Sequence, residues 1–102
     1  MAAKETSVHI LVIEDELKVA QFIKNGLDES GFIADIATDG IQGKTKALSG
    51  KYQLIVLDIN LPHINGFQLC KIIRAERKDI PILMLTALSS LDDKIKGFDE
   101  GA

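Results

Sequence analysis

Short apolar runs alternate with longer segments of helical period along the chain, and this alternation constrains the fold more than any other feature. The runs are Val8-His9-Ile10-Leu11-Val12-Ile13, Phe32 to Thr38, Leu54-Ile55-Val56-Leu57 and Ile82-Leu83-Met84-Leu85-Thr86-Ala87. Each is short enough for a strand, and each is followed by a stretch long enough to cross back over a sheet as a helix. Repeated strand-then-helix order predicts βα units and a parallel sheet. The first helix is expected from about Glu16 to Ser30, burying Val19, Phe22, Ile23, Gly26 and Leu27 and turning Lys18, Gln21, Asn25 and Asp28 to water, with Gly31 as its stop. The second run alternates apolar and polar residues as a half-covered edge strand would, and Asp39-Gly40 leads into a polar helix ending near Gly50. The third strand is expected over Tyr52 to Asp58. Asn65 then caps a helix running from Gly66 to about Lys78. Pro81 opens the fourth strand, and Asp92 and Asp93 fall in the first turn of a last helix starting near Ser90. Met84, Phe22, Phe32 and Cys70 read as core residues.

With 102 residues, 46% of them hydrophobic, the chain makes one domain with a core large enough to need no disulfide. Residues 1–7 read as a leader and 8–102 as the domain. The single cysteine, Cys70, suits a reducing compartment. Met1 to Ser7 lack the apolar centre of a signal peptide, and no apolar run approaches the roughly 18 residues of a membrane span. A soluble cytoplasmic protein is expected. The net charge is −3 and the lysines are dispersed, so the basic footprint of a nucleic-acid binder is missing from this domain.

Chemistry concentrates where the runs end. Glu14 and Asp15 close the first, Asp58 closes the third, and Thr86-Ala87 closes the fourth. A carboxylate where a buried strand meets solvent is costly to desolvate unless a cation or a reaction uses it. If the first and third strands are neighbours, Asp15 and Asp58 converge at the edge where open α/β sheets place ligands. Magnesium typically takes one or two carboxylates, several waters and a phosphate oxygen. Asp15 and Asp58 suit that role, with Glu14 holding a water on the ion and a backbone carbonyl just past Asp58 completing the protein's share. Asp58 then keeps an oxygen free to attack a phosphoryl group. The Thr86 hydroxyl and the Ala87 N–H would meet the phosphoryl oxygens. Taken singly, Glu14-Asp15-Glu16 also reads as a helix start with dipole-friendly acids, Asp58 as a solvated turn residue and Thr86 as ordinary strand content. Their joint placement at the carboxyl ends of consecutive units favours the site. His63 lies in a loop nearby without a clear ligand role.

These residues resemble the receiver domains of two-component response regulators. The likeness rests on Glu14-Asp15, on Asp58 with Asn60-Leu61-Pro62 and Asn65-Gly66 behind it, on Thr86-Ala87, and on Gly101-Ala102, in order over about residues 8–102. Ile10-Leu11-Val12-Ile13-Glu14-Asp15-Glu16 and Gly26-Leu27-Asp28-Glu29-Ser30-Gly31-Phe32 look most like the OmpR/PhoB type, whose members are winged-helix transcription factors. The resemblance implies a flavodoxin-like, doubly wound parallel sheet of order 2-1-3-4, cut short before a fifth βα unit. It implies Asp58 as the phosphoacceptor from a sensor histidine kinase, Glu14, Asp15, Asp58 and the Asn60 carbonyl around magnesium, Thr86 and Ala87 at the phosphoryl group, and Asn60 with Leu88 tuning its lifetime. Such a domain assists its own phosphoryl transfer and is not a turnover enzyme. The family's lysine and aromatic switch residue on a fifth strand have no counterpart here, so impaired phosphorylation is expected. With strand four (82–87) as a bare edge, a homo-oligomer through that strand or through exchanged elements is also expected.

Rival readings fare less well. A phosphatase of the haloacid dehalogenase type needs an aspartate two residues after its nucleophile, and Asn60 stands there. A flavin module on this topology would not put Glu14-Asp15-Glu16 beside a phosphate. A structural adaptor with a vestigial acidic site remains as the alternative.

Overall fold

The computed structural model describes residues 7–85, so Thr86, Ala87, Leu88 and the helix expected from Ser90 lie outside the described residues. In chain order the elements are β1 (His9–Ile13), α1 (Leu17–Glu29), β2 (Ile33–Ala37), α2 (Gly40–Ala47), β3 (Leu54–Asp58), α3 (Gly66–Glu76) and β4 (Ile82–Leu85). The four strands form one parallel sheet in the order β2-β1-β3-β4. Alternate side chains of the central strands serve opposite faces, as the period of two requires. Leu11, Ile13, Ile55 and Leu57 join Ala47, Leu69, Cys70 and Ile73 beneath α2 and α3. Ile10, Val12, Val56 and Ala34 join Ala20, Ile23 and Leu27 beneath α1. Helices therefore cover both faces, which is the doubly wound arrangement.

Helix boundaries follow local chemistry. Asp39 caps α2 by accepting from the Gln42 N–H at 2.8 Å. Asn65 and Gln68 form a reciprocal capping box at the start of α3, each side chain taking the other's backbone N–H. At the end of α1 the Gly31 N–H reaches Asp28 O and the Phe32 N–H reaches Leu27 O, with Gly31 at φ +96°. That pairing is a Schellman motif, and its left-handed position favours glycine.

The buried stripe of α1 differs from the expected one. Ala20 is fully buried and Ile23 and Leu27 are half-buried, whereas Phe22 is 80% exposed and Val19 and Gly26 also face outward. The helix seats on the row 20-23-24-27, one step round from the row through 19 and 22. Small Ala20 permits the close approach, and Lys24 lies half-buried in the stripe because its ammonium reaches a backbone carbonyl, Ala34 O, at 2.8 Å. Phe32, expected in the core, is 37% exposed, while Met84 and Cys70 are buried as expected. At the opposite end of the sheet from the carboxylates, buried Tyr52 donates its hydroxyl to Asp35 Oδ2 at 2.7 Å. Among the described residues, no helix is long and apolar enough to cross a membrane.

Candidate functional site

Register builds the site. Ile13 pairs with Leu57 in the β1–β3 ladder, so the next residues, Glu14 and Asp58, emerge side by side. Asp15 follows where the chain leaves the sheet. One carboxylate oxygen from each of Glu14, Asp15 and Asp58 lies within 4.8 Å of the others. Glu14 and Asp58 are buried, at 4% and 2% exposure, and Asp15 is open to solvent.

Backbone N–H groups orient the two buried acids. Glu14 Oε2 accepts from the Glu16 N–H at 3.0 Å and Asp58 Oδ1 from the Asn60 N–H at 3.1 Å. In each case the donor stands two residues on, so the turn that leaves the strand also aims the side chain. Both arrangements leave the second oxygen free of that bond.

Electrostatics make the cluster strained. The ion pairs given by the described residues, Lys24–Asp28 and Lys51–Asp35, lie elsewhere. Burial pushes the Glu14 carboxyl up to about 7, with neighbouring Asp58 and Asp15 raising it further and the Glu16 N–H opposing. Asp58 is also raised, by burial first and by the Asp15 charge, against the Asn60 N–H and a hydrogen bond from the Glu14 carboxyl. Two buried acids and one open acid, all oxygen donors with no ion pair to a cationic side chain among the described residues, suit a small hard cation that keeps waters on its open side. The residues present therefore fit magnesium.

The loop behind Asp58 is held tightly to the sheet. The Ile59 N–H bonds Leu85 O at 2.9 Å, and the Gly66 N–H bonds Ile59 O at 2.7 Å. A Cβ on Gly66 would lie 2.4 Å from Asp58 O and 2.7 Å from Ile59 Cα, so only glycine lets α3 begin against the end of β3. Between them, the Ile64 N–H bonds Pro62 O at 2.8 Å around His63, whose φ of 71° marks a γ-turn. His63 is exposed and outside the carboxylate cluster. The only sequence signal for the turn is the weak enrichment of histidine at positive φ. The tight seat of Gly66 had a signal in the Asn-Gly pair at a helix start, although nothing local says what the glycine touches.

The sequence model of the response regulator receiver domain matches residues 10–102. The chain belongs to this family. The receiver domain is 42% identical over 93 residues to the transcriptional regulatory protein CusR of Escherichia coli, covering 91% of this chain and 41% of that protein. It is 45% identical to the response regulator ArlR of Staphylococcus saprophyticus, covering 91% and 42%. It thus spans well under half the length of these curated relatives. Among solved structures, the receiver domain of the Francisella response regulator 1452 matches with a TM-score of 0.83 at 34% identity, over 94% of this chain and 79% of that one. The chemotaxis response regulator CheY4 of Vibrio cholerae matches with a TM-score of 0.83 at 31% identity, over 95% and 82%. The fold expected from the alternating runs is the fold of these relatives.

Proposed function

We propose that this receiver domain accepts a phosphoryl group on Asp58 from a sensor histidine kinase, with magnesium held by Glu14, Asp15, Asp58 and the Asn60 backbone carbonyl. The observation that carries the reading is the convergence of those three carboxylates at the carboxyl ends of β1 and β3. An Asp58 oxygen forms the new O–P bond as the P–N bond of the donor phosphohistidine breaks, and the departing imidazole keeps the electron pair. The Asn60 N–H holds Asp58 Oδ1, so the side chain is fixed in direction before the donor arrives. Bound magnesium supplies the charge neutralisation that lets three acids and a phosphoryl group share one site. In this reading the Thr86 hydroxyl and the Ala87 N–H receive the phosphoryl oxygens, and Asn60 and Leu88 flank them. The names of the relatives support a transcription regulator as the whole protein, with DNA contact made outside this domain.

Incubation with acetyl phosphate and magnesium, followed by intact-mass analysis, tests the reading. Slow modification by a single phosphoryl group is expected, lost in Asp58→Asn and on chelation of the metal. Label on another residue, or label surviving in Asp58→Asn, overturns it.

A further inference from the structure

The open edge of β2 is partly closed by side chains of α1. The bonds from the Ile33 N–H to Val8 O and from the Glu14 N–H to Ala37 O show that Ile33, Asp35 and Ala37 face β1. Ala34 and Ile36 therefore point their backbone groups away from the sheet. At Ala34 both groups are taken: Lys24 Nζ donates to Ala34 O at 2.8 Å, and Asp28 Oδ1 accepts from the Ala34 N–H at 3.3 Å. Lys24 and Asp28 also pair with each other at 2.8 Å. One donor and one acceptor, tied together, thus stand where a neighbouring strand would put its own. At the far end the Thr38 N–H meets Gln42 Oε1 at a long 3.5 Å. Ile36, between them, has no side-chain partner for its backbone among the described residues, and exposed Phe32 and Ile33 flank the same edge.

We propose that the Lys24–Asp28 pair is a gate on the β2 edge, and that the edge it closes fits β2 of a second copy of this chain. The edge is self-complementary. In an antiparallel ladder centred on Ile36, Ile36 bonds the partner's Ile36, and Ala34 bonds the partner's Thr38. Asp35 then falls opposite the partner's Ala37, so no two carboxylates meet across the two-fold axis, where like charges would oppose pairing. Engaging that ladder requires Lys24 and Asp28 to release Ala34. An open strand edge is a template for another strand, and charged side chains are a common means of blocking one.

The test uses the 102-residue chain with Lys24→Met and Asp28→Ala together, Lys24 half-buried at the rim of the α1 seat and Asp28 exposed. Light scattering over a dilution series should show dimer at about tenfold lower concentration than in the wild type, the effect of removing a hydrogen-bonded charge pair that competes for the edge. Amide exchange at Ala34 in the monomer should quicken by a similar factor. Adding Ile36→Pro removes the central donor of the ladder without touching the bonds to β1, and should reverse the gain. If the double variant, folded by circular dichroism, associates as the wild type does, the gate is refuted. Association that increases but survives Ile36→Pro refutes β2 as the edge.

Discussion

Gly66→Ala and Gly26→Ala make the same chemical change in two helices, and the structure requires opposite outcomes. At Gly66 the added Cβ would meet Asp58 O at 2.4 Å, Ile59 Cα at 2.7 Å and the Asp58 carbonyl carbon at 3.0 Å. All three are backbone atoms of the strand end and loop that carry the site, so no side chain can swing aside. Relief requires α3 to move off β3 by most of an ångström, which also breaks the 2.7 Å bond from the Gly66 N–H to Ile59 O. Overpacking of this kind costs about 1–3 kcal/mol and the lost bond about 1 kcal/mol more. A total near 3 kcal/mol corresponds to a fall in Tm of roughly 15 °C for a domain of this size. Gly26 is exposed in the interior of α1, and an added Cβ there meets nothing within 4 Å. Alanine at that position should stabilise by about 0.5–1 kcal/mol through backbone entropy and helix propensity. Urea unfolding read by circular dichroism measures both, and a change in midpoint at constant slope isolates stability from any change in compactness. The variants lie far enough apart for their effects to add in the double mutant. A Gly66→Ala protein within about 1 kcal/mol of wild type would refute the packing argument, because the clash would have been relieved at little cost.

Three further outcomes follow from the titratable groups. Magnesium should raise the stability of the metal-free domain, by about 1.4 kcal/mol at roughly ten times its Kd, and Asp15→Asn should remove most of that gain while leaving the metal-free melt little changed; an unchanged wild-type Tm in millimolar magnesium would show that the site does not assemble. Because the folded Glu14 carboxyl is raised to about 7 from 4.5, its proton stabilises the fold fully below pH 4.5, and that stability is lost as pH rises through 7. Asp35 and Asp28 are lowered, Asp35 chiefly by the Tyr52 hydroxyl and Asp28 by Lys24, so their contributions are present above 3.8 and fall away only in more acid solution. Tyr52, raised to about 12 mainly by burial and then by Asp35, keeps its contribution below 10 and loses it as pH rises through 12. Metal-free stability should therefore decline between pH 4.5 and 7, and Glu14→Gln should flatten the decline; a rise with pH in the wild type over that window would refute the assignment. Tyr52→Phe should cost about 1 kcal/mol and move the Asp35 titration, followed by NMR, up toward its ordinary value.

The parts of this molecule legible in its sequence are those that depend on period and position. Apolar runs that end in Glu14 and Asp58 are enough to bring two carboxylates together, because parallel neighbours in register must end level with each other. Asn65 and Asp39 announce the starts of α3 and α2, because a capping side chain acts on N–H groups two or three residues away. The facing of α1 is different in kind. Val19 and Phe22 are as apolar as Ile23 and Leu27, and a helix of this composition can roll by one row with little change in its own pattern. What selects the row is Ala20 against the sheet and Lys24 reaching Ala34 O, contacts with strands far off in the chain.

The same division runs through the site. That Glu14 is buried and Asp15 open depends on the direction in which the chain leaves β1, which the Glu16 N–H fixes by bonding back to Glu14 Oε2. Adjacent acids read alike in sequence, yet one becomes a carboxyl shifted to about 7 by burial and the other stays solvated at the mouth. In the proposed reading the division has a chemical use. A cation approaching from solvent would meet the exposed Asp15 first, where desolvation is slight. Because burial raises the Glu14 carboxyl, such a cation would bind in competition with its proton, which would link metal binding to proton release. The Asp58 charge is opposed by burial and by Asp15, and a bound cation would favour it. In the proposed reaction the Asp58 carboxylate would thus be a better nucleophile in the metal-bound state, the one that also neutralises an incoming phosphoryl group. Three carboxylates that oppose one another would, in this reading, form a site whose reactivity depends on the ion.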